Sequence, residues 1–363
     1  MTPHDTVQGL LTGENKTRYG LYENIWPDTL RQWVDQGYPV DDSGKPLTPE
    51  DVFGYDLGRL GGAFDPTPKQ GFRLVHERTD EWEIVENGAG VTQKVWLNKS
   101  APAGPIAWKM DSEAVWRQDF KPLMEATDPG RVPAGALREK LARHRAADRW
   151  ICYNMSFIWE DFRQTVGDIC MYESLITDPE WVADYNQTAL DFYIRHMELA
   201  FSQVGLPDGM WFSEDLAYNQ GLFCSPATLE ELVFPYYRQM IDYLHGKGLK
   251  VILHSCGNVE RALDMIVDAG FDALHPMQVH AGCDPLSIAA RYGGKLVLMG
   301  GLDTHILEQG DPRVIEDAQV RLMDGMHEAG ARYIFCSDHS ISTNVTYGTY
   351  QRMMETYHKH KEA

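Results

Sequence analysis

Hydrophobic and polar positions alternate in a regular rhythm along the second part of the chain. From residue 149 onward, short apolar runs of strand length are separated by amphipathic segments of helical length. The runs are RWICYNM, DGMWFSED, LKVILHSCG, FDALHPMQ, KLVLMGGLD and RYIFCSD. This alternation is typical of βα units, which build a parallel sheet covered by helices.

The segments between the runs carry helical signals. PATLEELVFPYYRQMIDYLHGKG and NVERALDMIVDAG place apolar residues every three or four positions and end in glycine, as helices do. Residues 1–148 are less regular, with turn-rich stretches such as DDSGKPLTPED, and VTQKVWLN alternates as an edge strand does. We predict one domain over residues 1–363, in which 1–148 form an N-terminal helical elaboration with the first strands and 149–363 form regular βα repeats.

Polar side chains gather at the ends of the apolar runs. In a barrel the carboxyl ends of parallel strands converge on one site, whereas a doubly wound open sheet would spread these groups along a line. The pattern therefore favours the α/β class and a (β/α)8 TIM barrel with its active site at that mouth. The polar groups are Glu214 and Asp215, His254 and Cys256, Gln278, Asp303, and Asp338 and His339.

Composition narrows the possible partners. The chain is 43% hydrophobic and 24% charged, which suits a globular core, and its formal net charge is -20. An acidic chain without clustered Lys and Arg is unsuited to nucleic acid or to anionic membranes. The start MTPHDTVQGLLTGENKTR has no signal-peptide pattern and no run of about 18 apolar residues occurs, so we expect a cytoplasmic protein. Six dispersed cysteines favour reduced thiols or metal ligands over disulfides.

The run VILHSCGN carries the sharpest chemical signal. Residues two apart on a strand point to the same side, so His254 and Cys256 face one space, and an imidazole with a thiolate is part of a typical zinc ligand set. The alternative is a purely structural role, with Cys256 as a small buried residue and His254 as a hydrogen-bonded core group. A third ligand is expected from RYIFCSDHSIS, with His339 preferred because it lies beyond the apolar run; Cys336 is the alternative.

Other polar groups have two interpretations each. Glu214 and Asp215 can act as a base, bind substrate or orient a ligand, or they can be a helix cap and solvated acids. An oxygen from Gln278, Glu214 or Asp215 can fill a fourth metal position, or that position stays open for substrate. Asp303 either orients substrate or caps the following helix.

Aromatic and N-terminal residues complete the candidates. Side chains near the strand ends can line a cleft for a flat substrate or a corrinoid edge, or they can be core. These residues are Trp159, Trp211, Phe212, Tyr218 and Phe223. Tyr55, Asp56 and Arg59 in VFGYDLGRLGG are expected at the surface, with a role in the cleft as the alternative.

The elements SEDLAYNQGLFCSP, LKVILHSCGNVERALDMIVDAGFDALHPMQ, GGLDT and the SDHSI loop resemble the uroporphyrinogen decarboxylase superfamily over about residues 148–358. The superfamily includes metal-free decarboxylases of carboxylated tetrapyrroles, often dimeric, and methyltransferases dependent on zinc and cobalamin. TRYGLYENIWPDTL lacks the arginine cluster of the decarboxylases, although His339 matches their loop histidine. In the methyltransferases H-x-C and a later Cys hold zinc; His254 and Cys256 match the pair, and the late Cys aligns with His339.

The resemblance implies an enzyme, with catalytic roles for Glu214, Asp215, Asp303 and His339 and cofactor contacts from Trp211, Tyr218 and Gln278. Zinc would bind a small substrate, a thiol or a methoxy or methylamine compound, and a methyl group would move to or from a corrinoid (cobalamin) cofactor. Because the chain has no D-x-H-x-x-G motif, the corrinoid is expected on a separate protein. The alternatives are a metal-free decarboxylase and a non-catalytic, metal-binding partner subunit; a homodimer is possible.

Overall fold

The computed structural model describes residues 1–15 and 17–362, and Lys16 and Ala363 of the predicted domain lie outside the described residues. The strands are β1 (Gly20–Leu21), β2 (Leu57–Arg59), β3 (Arg73–Arg78), β4 (Trp82–Asn87), β5 (Val91–Trp96), β6 (Gly104–Trp108), β7 (Trp150–Met155), β8 (Gly209–Ser213), β9 (Ala217–Tyr218), β10 (Gly221–Leu222), β11 (Lys250–His254), β12 (Ala273–His275), β13 (Val297–Met299) and β14 (Tyr333–Phe335). The helices are α1 (Pro3–Thr12), α2 (Pro27–Val34), α3 (Pro49–Phe53), α4 (Glu113–Val115), α5 (Lys121–Glu125), α6 (Ala134–Ala146), α7 (Ile158–Val166), α8 (Asp168–Thr177), α9 (Pro179–Val204), α10 (Pro226–Leu232), α11 (Phe234–Gly246), α12 (Leu263–Ala269), α13 (Pro285–Tyr292), α14 (Thr304–Gln309), α15 (Pro312–Glu328) and α16 (Tyr347–His360).

Eight of these strands form a parallel sheet that curves into a barrel. Their order is β1, β14, β13, β12, β11, β8, β7 and β2, and each neighbouring pair is parallel. The end strands meet through Asp56, whose N–H donates to Leu21 O at 2.9 Å and whose carboxylate accepts from Leu21 N–H at 2.8 Å. The predicted (β/α)8 barrel is confirmed, and each of the six apolar runs contains one of its strands.

The barrel interior is a packed apolar core that is closed at one end by α1. Inward-facing residues of the strands, among them Trp150, Ile252 and Met299, form one buried cluster with Val7 and Leu10 of α1. The start of α1 lies at the amino ends of the strands, since His4 N–H donates to the oxygen of residue 148, just before β7. The opposite end, where the strands finish, is the end at which TIM barrels carry their active sites.

The predicted helices are confirmed, with one division. The segment 226–248 forms α10 and α11 instead of one helix, and the break lies at Val233. Pro235 explains it, because proline lacks an N–H and its ring clashes with the carbonyl four residues earlier. Pro235 instead occupies the first turn of α11, where a missing N–H costs nothing.

The N-terminal part contains an antiparallel sheet that the predicted helical elaboration omits. Its strands follow the order β3, β4, β5, β6. VTQKVWLN, expected as an edge strand, forms β5 inside this sheet and pairs with both β4 and β6. The turn signal Asn87–Gly–Ala–Gly between two alternating runs is the kind that marks a hairpin, and the Asn87 side chain accepts from the N–H groups of Ala89 and Val91.

Two features bear on the sequence expectations. All six cysteines lie in the described part of the chain and are free, as expected. No helix among the described residues is long and apolar enough to cross a membrane.

His144 of α6 makes stability depend on pH. The side chain is fully buried between the guanidinium groups of Arg143 and Arg149, at 3.3 and 3.5 Å, and burial lowers its pKa to about 4. The unfolded chain takes up this proton near pH 6.5, so the free energy of unfolding should fall as pH drops from about 6.5 to 4. Urea unfolding of His144→Leu should show a weaker pH dependence in that window, whereas exposed His327→Leu should follow the native chain.

Candidate functional site

A cavity of about 210 Å³ opens at the carboxyl ends of the barrel strands. It lies directly above the packed interior, where side chains from several strands converge. Its walls are Tyr22, Glu23, Asn24, Arg59, Trp211, Ser213, His254, Cys256, His275, Pro276, His339 and Ser340. The predicted placement of the site at the strand ends agrees with this geometry.

Three potential metal ligands meet beside the cavity, and two of them, His254 and Cys256, are among its walls. β11 ends at His254, and Cys256 follows two residues later with its Sγ 3.5 Å from His254 Nε2. Asp215, just beyond β8, places Oδ1 3.7 Å from the same nitrogen and accepts from the Cys256 N–H at 2.9 Å. The ligand atoms of these residues lie within 4.8 Å of one another.

The spacing of these donors fits a tetrahedral zinc ion. Zn–S and Zn–N bonds at a tetrahedral angle put sulfur and nitrogen about 3.6 Å apart, and nitrogen and oxygen about 3.4 Å apart. The measured separations of 3.5 Å for Cys256–His254 and 3.7 Å for His254–Asp215 are close to both values. One nitrogen, one sulfur and one carboxylate oxygen are also donors that zinc prefers.

His275 supports this cluster and was missed by the sequence reasoning. It is the register partner of His254 across β11 and β12, and the two Nδ1 atoms are 2.7 Å apart. Burial lowers the pKa of His254 to about 4 and that of His275 further, so the pair is neutral and one Nδ1–H donates to the other nitrogen. A metal on Nε2 of His254 would leave its proton on Nδ1, facing His275. A polar residue in the buried run FDALHPMQ was the available signal.

Replacing His275 tests this support. Without the acceptor, the ring of His254 loses the contact that fixes its tautomer and orientation, and partners of this kind are worth about 10–100-fold in metal affinity. We expect His275→Phe to weaken zinc binding by that factor, measured by competition with a chromogenic chelator. His280→Phe, at a residue that is not among the cavity walls, should bind zinc as the native chain does; equal losses in both variants would contradict the assignment.

Glu214, predicted beside Asp215 as a catalytic acid, points away from the cavity. Its carboxylate is fully buried and accepts from the N–H groups of Phe157 and Trp159 and from the Tyr237 hydroxyl. Burial raises its pKa to about 8. The side chain ties the loop after β7 to β8 and α11, which places it in the scaffold of the site.

The other predicted residues divide between the cavity and its supports. His339 lines the cavity from the loop after β14, but it does not belong to the group of ligand atoms that all lie within 4.8 Å of one another. Cys336, the alternative third ligand, is fully buried in the barrel interior. Gln278 accepts from the Gly257 N–H at 2.6 Å and so holds the loop after Cys256. Asp303 accepts from the His305 N–H as the cap of α14.

The aromatic candidates also separate. Trp211 forms a cavity wall, and its ring stacks with that of His254 at 6.2 Å. Tyr218 is 46% exposed on the β9–β10 hairpin and stacks on Phe223 at 5.3 Å. Phe212 is buried core, and Trp159 is buried with its indole N–H donating to Asp215 O at 2.7 Å.

The expected surface position of Tyr55, Asp56 and Arg59 is wrong. Tyr55 and Asp56 are buried, and Asp56 forms an ion pair with Arg18 at 2.9 Å. Arg59, the last residue of β2, lines the cavity. Tyr55 and Asp56 directly precede β2, and Arg59 ends it, so all three are placed by the barrel and not by the surface.

A larger cleft of about 1320 Å³ lies between the N-terminal sheet and α7 and α8. Two of its acids are satisfied within the protein: Glu160 pairs with Arg163 at 2.8 Å, and Asp161 accepts from Ser156 and Tyr193. Burial raises the pKa of Asp161 to about 6. The smaller cavity, where donors converge, is the stronger candidate for chemistry.

Fold and site together define a TIM-barrel protein with a candidate metal centre at its mouth. The family model for uroporphyrinogen decarboxylase (URO-D) matches residues 211–360, which confirms the predicted superfamily resemblance over that range. No curated protein sequence matches the chain.

A solved structure shows the same fold. A methyltransferase from Methanosarcina mazei superposes with a TM-score of 0.69 at 13% identity, covering 99% of each chain. An amidohydrolase from Burkhoderia ambifaria with bound zinc aligns with a TM-score of 0.27 at 11% identity, over 98% of this chain and 87% of the other, and this superposition is too poor to bear on fold or function.

Proposed function

We propose that the chain is a zinc-dependent methyltransferase that moves a methyl group between a small substrate and the corrinoid of a separate protein. The observation that carries the proposal is the convergence of Asp215, His254 and Cys256 at a cavity on the carboxyl face of the barrel. The superfamily match and the shared fold of a protein named as a methyltransferase support it.

The charge state of His254 favours metal binding, whereas the Cys256 thiol would release its proton when a metal binds. The lowered pKa of His254 leaves its imidazole neutral at pH 7, which is the form that binds metals. Burial and the Asp215 carboxylate raise the pKa of the Cys256 thiol, so the metal-free site is a neutral imidazole and thiol beside one carboxylate. When bound there, zinc would supply a Lewis acid that keeps thiol groups deprotonated near neutral pH.

The remaining residues shape the substrate position. With Asp215, His254 and Cys256 as its protein ligands, a bound zinc ion would keep a position for the substrate, as catalytic zinc sites do. The Cys256 N–H bond to Asp215 keeps the strand-end loop and the carboxylate in register. His339 lies on the cavity wall outside the ligand cluster, and we assign it a contact with substrate.

The corrinoid would approach from the open side of the mouth. Tyr218, exposed and stacked on Phe223 at the rim, presents a flat aromatic surface for a ring system. We propose that this hairpin contacts the corrinoid protein.

The decarboxylase alternative is less well supported by the cavity. Its volume of about 210 Å³ is below the roughly 300–1,000 Å³ of typical small-molecule pockets, and a tetrapyrrole needs more room than most of their ligands. Arg59 is the one arginine among the twelve wall residues, whereas a polycarboxylate needs several cations.

The test is removal and return of the metal. The native chain is treated with a chelator, reloaded with zinc, and assayed for methyl transfer with a methylated corrinoid protein and small thiols, and in the reverse direction with methoxy and methylamine donors. Activity that disappears on chelation and returns with zinc supports the proposal. Decarboxylation of a porphyrinogen that survives chelation, or corrinoid-protein binding without any transfer, would overturn it.

A further inference from the structure

Arg59 presents a rigid positive charge inside the cavity. Its guanidinium lies over the rings of Tyr22 and Trp211, 5.3 and 5.7 Å from their centroids, and donates to Asn24 Oδ1 at 2.6 Å. Two aromatic faces and one hydrogen bond hold the side chain at a fixed position on the wall. A guanidinium has five N–H donors, and this bond uses one.

The protein does not neutralise this charge. Within the described residues no carboxylate oxygen lies within 4.0 Å of the Arg59 guanidinium. Glu23 is the one acid among the cavity walls, but its two oxygens accept the N–H groups of Asn24 and Ser337 at 2.9 Å each. No nitrogen of Arg59 is among the buried atoms without a partner, so its free donors remain accessible from the cavity.

The cavity connects Arg59 to the ligand cluster. Trp211 contacts both groups: its ring centre lies 5.7 Å from the guanidinium carbon of Arg59 and 6.2 Å from the centre of the His254 ring. A molecule that touches both groups therefore spans little more than one indole. The volume of about 210 Å³ admits only a short chain between them.

We propose that Arg59 binds the carboxylate of a small acidic substrate whose other end reaches Asp215, His254 and Cys256. The inference rests on the proposed function for what happens at that other end, but the carboxylate subsite itself stands on Arg59. Planar bidentate pairing makes arginine suited to a carboxylate, and the aromatic walls exclude the water that would weaken the pair.

The test compares two thiols of similar size, mercaptoacetate and uncharged 2-mercaptoethanol, by calorimetric titration of the zinc-loaded native chain. The acid should bind more tightly. Arg59→Gln should lower the affinity for mercaptoacetate by about tenfold or more, the factor expected for a lost charge-assisted hydrogen bond. The affinity for 2-mercaptoethanol should not change. Arg321→Gln, an exposed position of α15, removes the same charge from the surface and should change neither.

A second variant distinguishes loss of the carboxylate subsite from misfolding of Arg59→Gln. Asn24→Asp puts a carboxylate beside the guanidinium without removing it, so it should abolish the preference for the acid in a folded protein. An equal loss for both thiols, or an unchanged preference in both variants, would overturn the carboxylate subsite.

A further titration separates the two proposals. Propionate, which has no thiol, is titrated into metal-free native chain and metal-free Arg59→Gln. Binding to the native chain that is lost in the variant supports the subsite even where zinc and methyl transfer fail. A zinc-active enzyme that discriminates between the two thiols without Arg59 would refute the subsite and leave the proposed function intact.

Discussion

Cys256→Ala should remove both the metal and the methyl-transfer activity. The substitution deletes the sulfur at 3.5 Å from His254 Nε2 and leaves an imidazole and a carboxylate, two ligands where a stable zinc site needs at least three. We expect zinc to fall from about one ion per chain, as in typical mononuclear sites, to near zero, with affinity reduced by more than about 100-fold, beyond the effect of losing an outer partner. Elemental mass spectrometry of tag-free protein measures the content, and the corrinoid assay measures the activity.

The matched control is Cys170→Ala on α8, which removes a thiol that lies outside the cavity. This variant should retain zinc and activity. His254→Ala should reproduce the loss seen in Cys256→Ala, because both ligands belong to one cluster. Full activity in a Cys256→Ala protein free of zinc would refute the metal mechanism and move the chemistry to His339.

The barrel could be predicted because its signal is local. The barrel strands β7, β8, β11, β12, β13 and β14 each lie in an apolar run that ends in polar residues. The spacing of apolar residues changes from the strand pattern in these runs to a helical repeat of three or four in the segments between them. His254 and Cys256 were identified for the same reason, since two positions apart on one strand means one side of the sheet. Of the N-terminal sheet only the strand VTQKVWLN was predicted, because β3 has exposed side chains throughout and β5 has a single fully buried residue, Val91.

The two-residue repeat of a strand would have distinguished Glu214 from Asp215. Trp211 and Ser213 line the cavity, so a step of two along the strand leads to Asp215 and leaves Glu214 on the opposite face. The prediction treated the pair as equivalent. In the structure one carboxylate joins the ligand cluster and the other anchors the helical layer.

His275 and Arg59 needed information that one sequence does not contain. The partnership of His275 with His254 depends on which strands are neighbours and on their register. Arg59 ends a strand of only three residues in an irregular stretch, where nothing shows which side chains turn inward. Their roles arise from closure of the barrel, which brings β2 and β12 to the same cavity.

Gly257→Ala should damage the site through the backbone, without removing any ligand. Gly257 follows Cys256 with φ at +85°, and a Cβ there would lie 2.4 Å from the carbonyl carbon of Ala217 and 2.5 Å from its oxygen. A left-handed conformation costs a non-glycine residue about 1–2 kcal/mol, and overpacking adds about 1–3 kcal/mol. Because the obstructing atoms are backbone of the β9–β10 hairpin, relief requires the hairpin or the Cys256 loop to move.

We therefore expect Gly257→Ala to lower the free energy of unfolding by about 2–5 kcal/mol and zinc affinity by about tenfold or more, measured by urea unfolding and chelator competition. Gly248→Ala separates the two causes, because Gly248 has φ at +80° and no atom within 4 Å of the point where a Cβ would lie. That variant should incur the conformational cost alone and keep its zinc affinity. If both variants behave alike, the close approach of the hairpin does not position Cys256, and the ligand loop holds its geometry through Asp215 and Gln278 alone.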